Sequence, residues 1–345
     1  MKEKVKQKPL EVLKKLGKRW FVDAMGAMAF GLFASLIIGV IINQINKYVD
    51  IAFLKYFEEI LGAKSPVVGA AIGVAVAYGL KTVPLAMYSS AATGAVGYML
   101  GGPAGCFVAS LVGAEIGNLI AGKTRLDILL VPFTTLITGG FIATIVGPPI
   151  MAFMEALGAF INMATEMQPF LMGIIVSVVV GMVLTAPISS AALCIMLNLS
   201  GLAAGAATAG CCANMIGFAV ISFKDNNIGG SLAQGLGTSM LQVPNIVKKP
   251  LIWIPPIVAS AILGPISTMI LKMTNNAAGA GMGTSGLVGT INTYIVMTEE
   301  GADPIILIIK ILAMQFVFPA LISLGVYVLM KHFKWIKDGE MKLNV

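Results

Sequence analysis

The sequence predicts an all-α, polytopic membrane protein, and three observations carry that prediction. Hydrophobic residues make up 57% of the chain and charged residues 11%, with a mean hydropathy of +0.91, whereas ordinary soluble domains carry roughly 25% charged residues. Apolar runs such as "AMGAMAFGLFASLIIGVII", "DILLVPFTTLITGGFIATIVGPPI" and "PIILIIKILAMQFVFPALISLGVYVLM" reach or approach the roughly 20 residues that cross a hydrocarbon core. No charged block of domain size remains in the 345 residues. The expected architecture is about eight to ten transmembrane helices with re-entrant helical hairpins.

The N-terminal stretch "MKEKVKQKPLEVLKKLGKRW" is too long and too polar for a cleaved signal. Leu10, Leu13, Leu16 and Trp20 recur at helical spacing among lysines, which predicts a basic amphipathic helix over residues 1–20 lying on an anionic cytoplasmic leaflet. Asp23 then reads as the start of the first span. Residues 21–331 form a single membrane domain and 332–345 a cytoplasmic tail. Basic residues gather at both ends and around Lys123, Arg125, Lys248 and Lys249, while "MEALGAFINMATEMQ" and "MTEEGAD" hold acids without a base. By the positive-inside bias both termini face the cytoplasm. Residues 170–247 resist a clean alternation, which one half-spanning element would resolve. The net charge of +7 therefore reports topology, and no nucleic acid is expected as a partner. Cys106, Cys194, Cys211 and Cys212 lack the spacing of a metal or disulfide framework and read as buried thiols. No metal and no cofactor is called for.

Several apolar segments are short, glycine-rich and interrupted, among them "SSAATGAVGYMLGGPAG", "IGGSLAQGLGTSML" and "NNAAGAGMGTSGLVGT". Irregular backbone at membrane depth survives only inside protein or along an aqueous cavity, because lipid satisfies no free amide or carbonyl. Gly281, Gly283 and Gly286 imitate a dinucleotide fingerprint, but that motif needs a strand before it and a βαβ unit around it. A different relation is more telling: "GLGTS" at 235–239 recurs as "GMGTS" at 281–285. One apolar crossing separates the two copies, so they would enter the membrane from opposite sides as paired broken hairpins.

From about Pro66 to Lys331 the chain resembles enzyme IIC, the membrane subunit of the bacterial phosphotransferase system, especially its fructose-type branch. The resemblance rests on "ILLVPFTTLITGGFIATIVGPPIMAFMEALGAFI" at 128–161, then "GIIVSVVVGMVLTAPISSAALCI" and "VPNIVKKPLIWIPPIVASAILG". A divergent branch that includes membrane regulators of perfringolysin looks most similar to this compact chain. The resemblance implies a multi-pass protein of the bacterial inner (plasma) membrane, a homodimer with a scaffold part and a moving transport part, and at most the membrane subunit of a system needing separate IIA and IIB proteins. The family's chemical positions differ here. Val183 stands where an acid would be, Ser189 and Ser190 replace an amide and a lysine, Met240 replaces a glutamate, and the family's histidine falls within "GMGTSG". A group that orients or deprotonates a sugar hydroxyl must lie within hydrogen-bonding reach, and apolar side chains cannot act so.

Candidate solute-lining residues are the uncharged polar tips: Thr185, Ser189 and Ser190; Thr238, Ser239, Gln242 and Asn245; Thr284, Ser285 and Asn292. Hydroxyls and amides suit a neutral polyol or sugar, which needs many weak donors and acceptors. Glu115, an acid among small apolar residues, joins them as a site for a proton, a cation or a hydroxyl, with Lys123 and Arg125 two helical turns on. Lys81 reads as a snorkelling cation, and Asp225, Glu299, Glu300 and Asp303 as solvated loop acids. The expected function is transport of a small polar solute, a sugar or relative, across the bilayer by alternating access. A membrane sensor or regulator on the same fold is the rival.

Overall fold

The computed structural model describes residues 15–62 and 65–343. The amphipathic helix expected over 1–20 thus falls mostly outside the described residues. Among these, regular structure is helical, with a single isolated antiparallel bridge between Gly201 and Asn275.

Among the described residues six helices are long and apolar enough to cross a membrane, and two shorter apolar helices join them. α1 (Lys15–Asn43) runs without interruption through two π-helical turns, so Asp23 lies inside a helix and not at its start. α2 (Ala52–Ile60) is short and amphipathic. α3 (Pro66–Gly79) begins on Ser65, whose hydroxyl accepts from the Val67 amide, with proline at the first helical position, a favoured helix opening.

α4 (Pro84–Ile120), whose 37 residues would reach roughly 55 Å as one straight helix, is a hairpin of two arms. Gly101 and Gly102 leave helical backbone between them, and a Cβ on Gly97 would lie 2.8 Å from Ala109 Cβ. In a straight helix those residues would be roughly 18 Å apart. At the base, the Val83 amide donates to Asn118 Oδ1 at 3.0 Å. Each arm is therefore about 25 Å long at the helical rise, close to the hydrocarbon thickness. Glycine, alanine and serine line the seam because small side chains let backbones approach where no water drives association.

α5 (Asp127–Thr165) is one 39-residue helix that carries Pro132, Pro148 and Pro149. Its glycines track the hairpin from base to tip: Gly139 packs on Thr93 and Ala109, and Gly147 on Leu100 and Gly101. The outer face of α5 leaves Phe133, Ile137, Phe141 and Ile145 exposed. An apolar band of this kind, impossible to explain in water, is what lipid covers.

The second half packs α6 (Pro169–Thr185), α8 (Gly201–Ile221), α11 (Pro250–Ile270) and α14 (Pro304–His332) around one another. Short α7 (Ser190–Met196) follows the turn after α6. α8 is the central helix, with 89% of its apolar window buried; its alanines, glycines and two cysteines present no large lipid-facing side chain. Irregular segments connect the spans. α9 (Phe223–Leu232) is broken at Asn227 and followed by a π turn, an extended Thr238 and a short α10 (Val243–Lys248). After α11, the chain is irregular to α12 (Ala277–Ala280), turns through 281–287, and enters α13 (Val288–Glu299). The two halves meet where Met240, Leu241, Val243 and Leu343 join the core of α1, α3 and α4.

Candidate functional site

The three motifs singled out by sequence come together at the end of α6. Thr185 shares a hydrogen bond with Ser239 at 2.8 Å. Ser190 Oγ donates to Gly281 O at 2.6 Å. The two repeated tips touch directly: Thr284 Oγ1 donates to Gly235 O at 2.5 Å and Ser285 Oγ to Gly237 O at 2.8 Å. At this contact the 235–239 copy supplies carbonyls and the 281–285 copy supplies hydroxyls. Gly283 makes this approach possible, since it has φ +53° and any Cβ there would lie 2.7 Å from Cys211 Cβ. The glycine run is a packing device at a membrane tip, and no strand precedes it.

Thr238 accepts from the Met240 amide and so starts the turn that carries Ser239. Ser189 lies buried beside Ser190. Asn292 is set back from the tips, accepting from Asn276 and donating to Val288 O, in a second polar layer where Asn275 reaches Thr208, Thr293 and Gly289. Gln242 and Asn245 belong to a buried relay of amides: Gln234 donates to Ser222, Gln242 to Gln234, and Asn245 to Gln242. These side chains are uncharged, and nearly all are buried.

Asn214, which sequence reasoning passed over, is the hub behind the tips. Its Oδ1 accepts from Thr185 at 3.1 Å and from Trp253 Nε1 at 3.0 Å, and its Nδ2 donates to Ser260 Oγ at 3.2 Å. The available signal was a lone amide in the apolar run of α8, where a buried polar side chain must find partners. Gln234, Asn275 and Thr293 were missed for the same reason, being small polar residues in segments that read as packing.

Glu115 takes its partners from α1. Its carboxylate lies 3.3 Å from Arg19 and accepts from Trp20 Nε1 at 2.8 Å, while Arg19 also donates to Leu80 O. The acid thus ties the first helix to the α4 hairpin instead of facing the tips. We expect Glu115→Leu to lower stability by about 1–3 kcal/mol, since it strands an indole N–H and removes the anionic partner of a guanidinium that keeps only Leu80 O. Glu115→Gln, which keeps an acceptor for Trp20, should cost less. Thermal unfolding in detergent reads both, and equal midpoints for Glu115→Leu and the wild-type chain would refute the tie.

A cavity of about 640 Å³ opens between α1, the end of α3 and α10, with Lys18, Asp23, Lys81 and Asn245 among its lining. Lys81 is exposed at a turn with φ +54°. Asp303 caps α14, accepting from Ile305 and Ile306, and Glu300 accepts from Thr274. Asp225 departs from the expectation of a solvated acid: it accepts the backbone amides of Gly339 and Met341, because the chain after α14 folds back over α9. Outside the membrane, Lys331 beside Asp338 holds that carboxyl below the usual carboxylate range. The four cysteines are buried and free. Among the described residues no three His, Cys, Asp or Glu side chains are grouped to hold a metal ion.

Helices with lipid-exposed faces, interrupted segments meeting tip to tip and a buried set of neutral donors and acceptors define a polytopic membrane protein of transporter construction. The family model described as phosphotransferase system, EIIC matches residues 22–343, and the chain belongs to that family. The match begins in α1 and ends in the C-terminal tail, beyond the 66–331 region of resemblance. Neither the curated proteins nor the solved structures offer a match. Membership makes this a membrane transporter protein of the kind that works with other phosphotransferase components.

Proposed function

We propose that this chain carries a small neutral polar solute, a sugar or a relative, by alternating access along a path between the end of α6, the 235–245 element and the 281–287 tip. The observation that carries the reading is the composition of the meeting point. Thr185, Ser190, Ser239, Thr284 and Ser285 bond to one another and to carbonyls of the opposing tip. Such neutral bonds exchange for a solute's hydroxyls at little net cost, since one hydrogen bond replaces another. Thr238, Gln242, Asn245, Ser189 and Asn292 would extend the lining. In this reading Glu115 holds the scaffold, and the broken hairpins belong to the part that moves.

Met240 and Val183, buried beside the polar tips, offer no proton acceptor. We therefore propose that the solute passes unmodified by residues at those positions, and that any phosphorylation depends on separate IIA and IIB proteins. We propose further that both termini face the cytoplasm of a bacterial cell, a reading supported by the basic residues of the loops and ends, and that the protein works in the plasma membrane as a homodimer.

Purified protein in liposomes tests this with labelled fructose, mannitol and ribose, with and without IIA and IIB proteins. Uptake of an unmodified solute is expected without a phosphoryl donor. Product that appears only as a phosphate ester, and only with donor present, would overturn the uncoupled reading. No uptake of any of the three under either condition would overturn the carrier. Solute binding without uptake would favour the regulator.

A further inference from the structure

The residues after α14 run through turns and form a strap over α9 and α10. Gly339 and Met341 amides donate to Asp225 at 2.9 and 3.1 Å, and the Leu343 amide donates to Asn226 at 2.7 Å. Met341 O accepts from both Asn226 and Gln242, and Lys342 O accepts from Asn245. Glu340 lies 3.4 Å from Lys249. Every one of these side chains recognises main chain or the single charge at Glu340, and main-chain hydrogen bonds of this kind give a bound peptide segment its affinity. Met341 is fully buried against α8 and α14, and Leu343 reaches the core and one wall of the 640 Å³ cavity.

Two of the recognising side chains, Gln242 and Asn245, are also in the proposed solute lining. While the strap is seated each amide gives one hydrogen bond to it and the other to the amide relay.

We propose that Asp225, Asn226, Gln242, Asn245 and Lys249 form a docking site for this chain's own segment 339–343, and that the segment is a releasable strap whose departure frees Gln242 and Asn245 and widens the cavity beside them. The bonds that seat it are exchangeable with water, so release carries a modest net cost for each. Met341, fully buried, is the anchor that release must withdraw, and the cavity it leaves is the main cost of release. The strap's effect on the solute rests on the carrier reading above; its seating and release do not.

Detergent-purified protein carrying Asn245→Cys tests the proposal through labelling by a polyethylene-glycol maleimide, because the four native thiols are buried. Three forms are compared: the full chain, the full chain with Asp225→Ala and Asn226→Ala, and a chain ending at Lys337 that retains buried Ile336. Labelling at least 10-fold faster in both altered forms is expected. A fluorescein-labelled peptide of sequence DGEMKLNV should bind the shortened Asn245 chain, be excluded from the full chain, and lose at least 10-fold in affinity when Asp225→Ala is added. Equal labelling rates in all three forms, or no peptide binding to a shortened chain that still unfolds cooperatively, would overturn the strap. If the shortened chain does not fold, the full-length double variant decides by its labelling rate. Uptake of labelled fructose or mannitol that rises on shortening supports the gating role. Absence of uptake in every form defeats the carrier alone, and labelling still decides the strap.

Discussion

Gly210→Ala is expected to destabilise the protein by about 1–3 kcal/mol or more, the range for forcing an extra carbon into a packed interior. In a free helix the same change would gain roughly 1 kcal/mol, so the sign of the effect isolates the packing. Gly210 sits where α8 crosses α6, and a Cβ there would strike the carbonyl of Ser177. Backbone cannot turn aside as a side chain can. The approach is reciprocal, for a Cβ on Gly181 would lie 2.6 Å from Gly210 O. One carbon therefore separates the helices that hold Thr185 and Asn214 in hydrogen-bonding range. Gly140, on α5 with nothing within 4 Å of its Cβ position, is the control. Thermal unfolding should show Gly140→Ala unchanged or raised and Gly210→Ala lowered; a raised midpoint for Gly210→Ala would refute the crossing geometry.

Asn214→Leu is expected to cost a similar amount and to disturb the site as well. The change keeps volume while removing the acceptor shared by Thr185 and Trp253 and the donor to Ser260. Stranding a buried indole N–H alone costs about 1–3 kcal/mol. Thr185 retains Ser239, so the tips stay linked while their backing is lost. A lowered unfolding midpoint together with a change in Trp253 emission is the expected result. Unchanged emission with unchanged stability would show that the hub carries nothing.

The fold class was legible because it depends on sums over local sequence. Transfer of apolar surface is nearly additive and insensitive to partner, so runs such as those in α5 and α14 announce themselves. The interruption of α4 was legible as glycine-rich sequence, although its reversal at Gly101 and Gly102 is a matter of backbone dihedrals that composition does not report. The repeated G-x-G-T-S element was legible too, and the structure adds that the two copies bond to each other. Glu115 was legible as an unusual acid, but its partners were not: Arg19 and Trp20 lie far away in sequence, while Lys123 and Arg125, the cations nearest in sequence, are not its partners in the ion pair. Asp225 and the tail read as solvated for the same reason, because nothing local to either indicates that they meet.

By itself, then, the sequence determined that this chain is a helical membrane protein, where its backbone is interrupted, and which uncharged side chains stand at those interruptions. Tertiary structure decided who pairs with whom: the tips with each other, Asn214 with Trp253 and Thr185, Glu115 with α1, and the C-terminal strap with Asp225 and the amides of Gln242 and Asn245. The division has a physical origin. Burial in lipid is a property each residue carries wherever it goes, whereas a buried hydrogen bond is short and directional and exists only once distant segments have been brought within about 3 Å of one another.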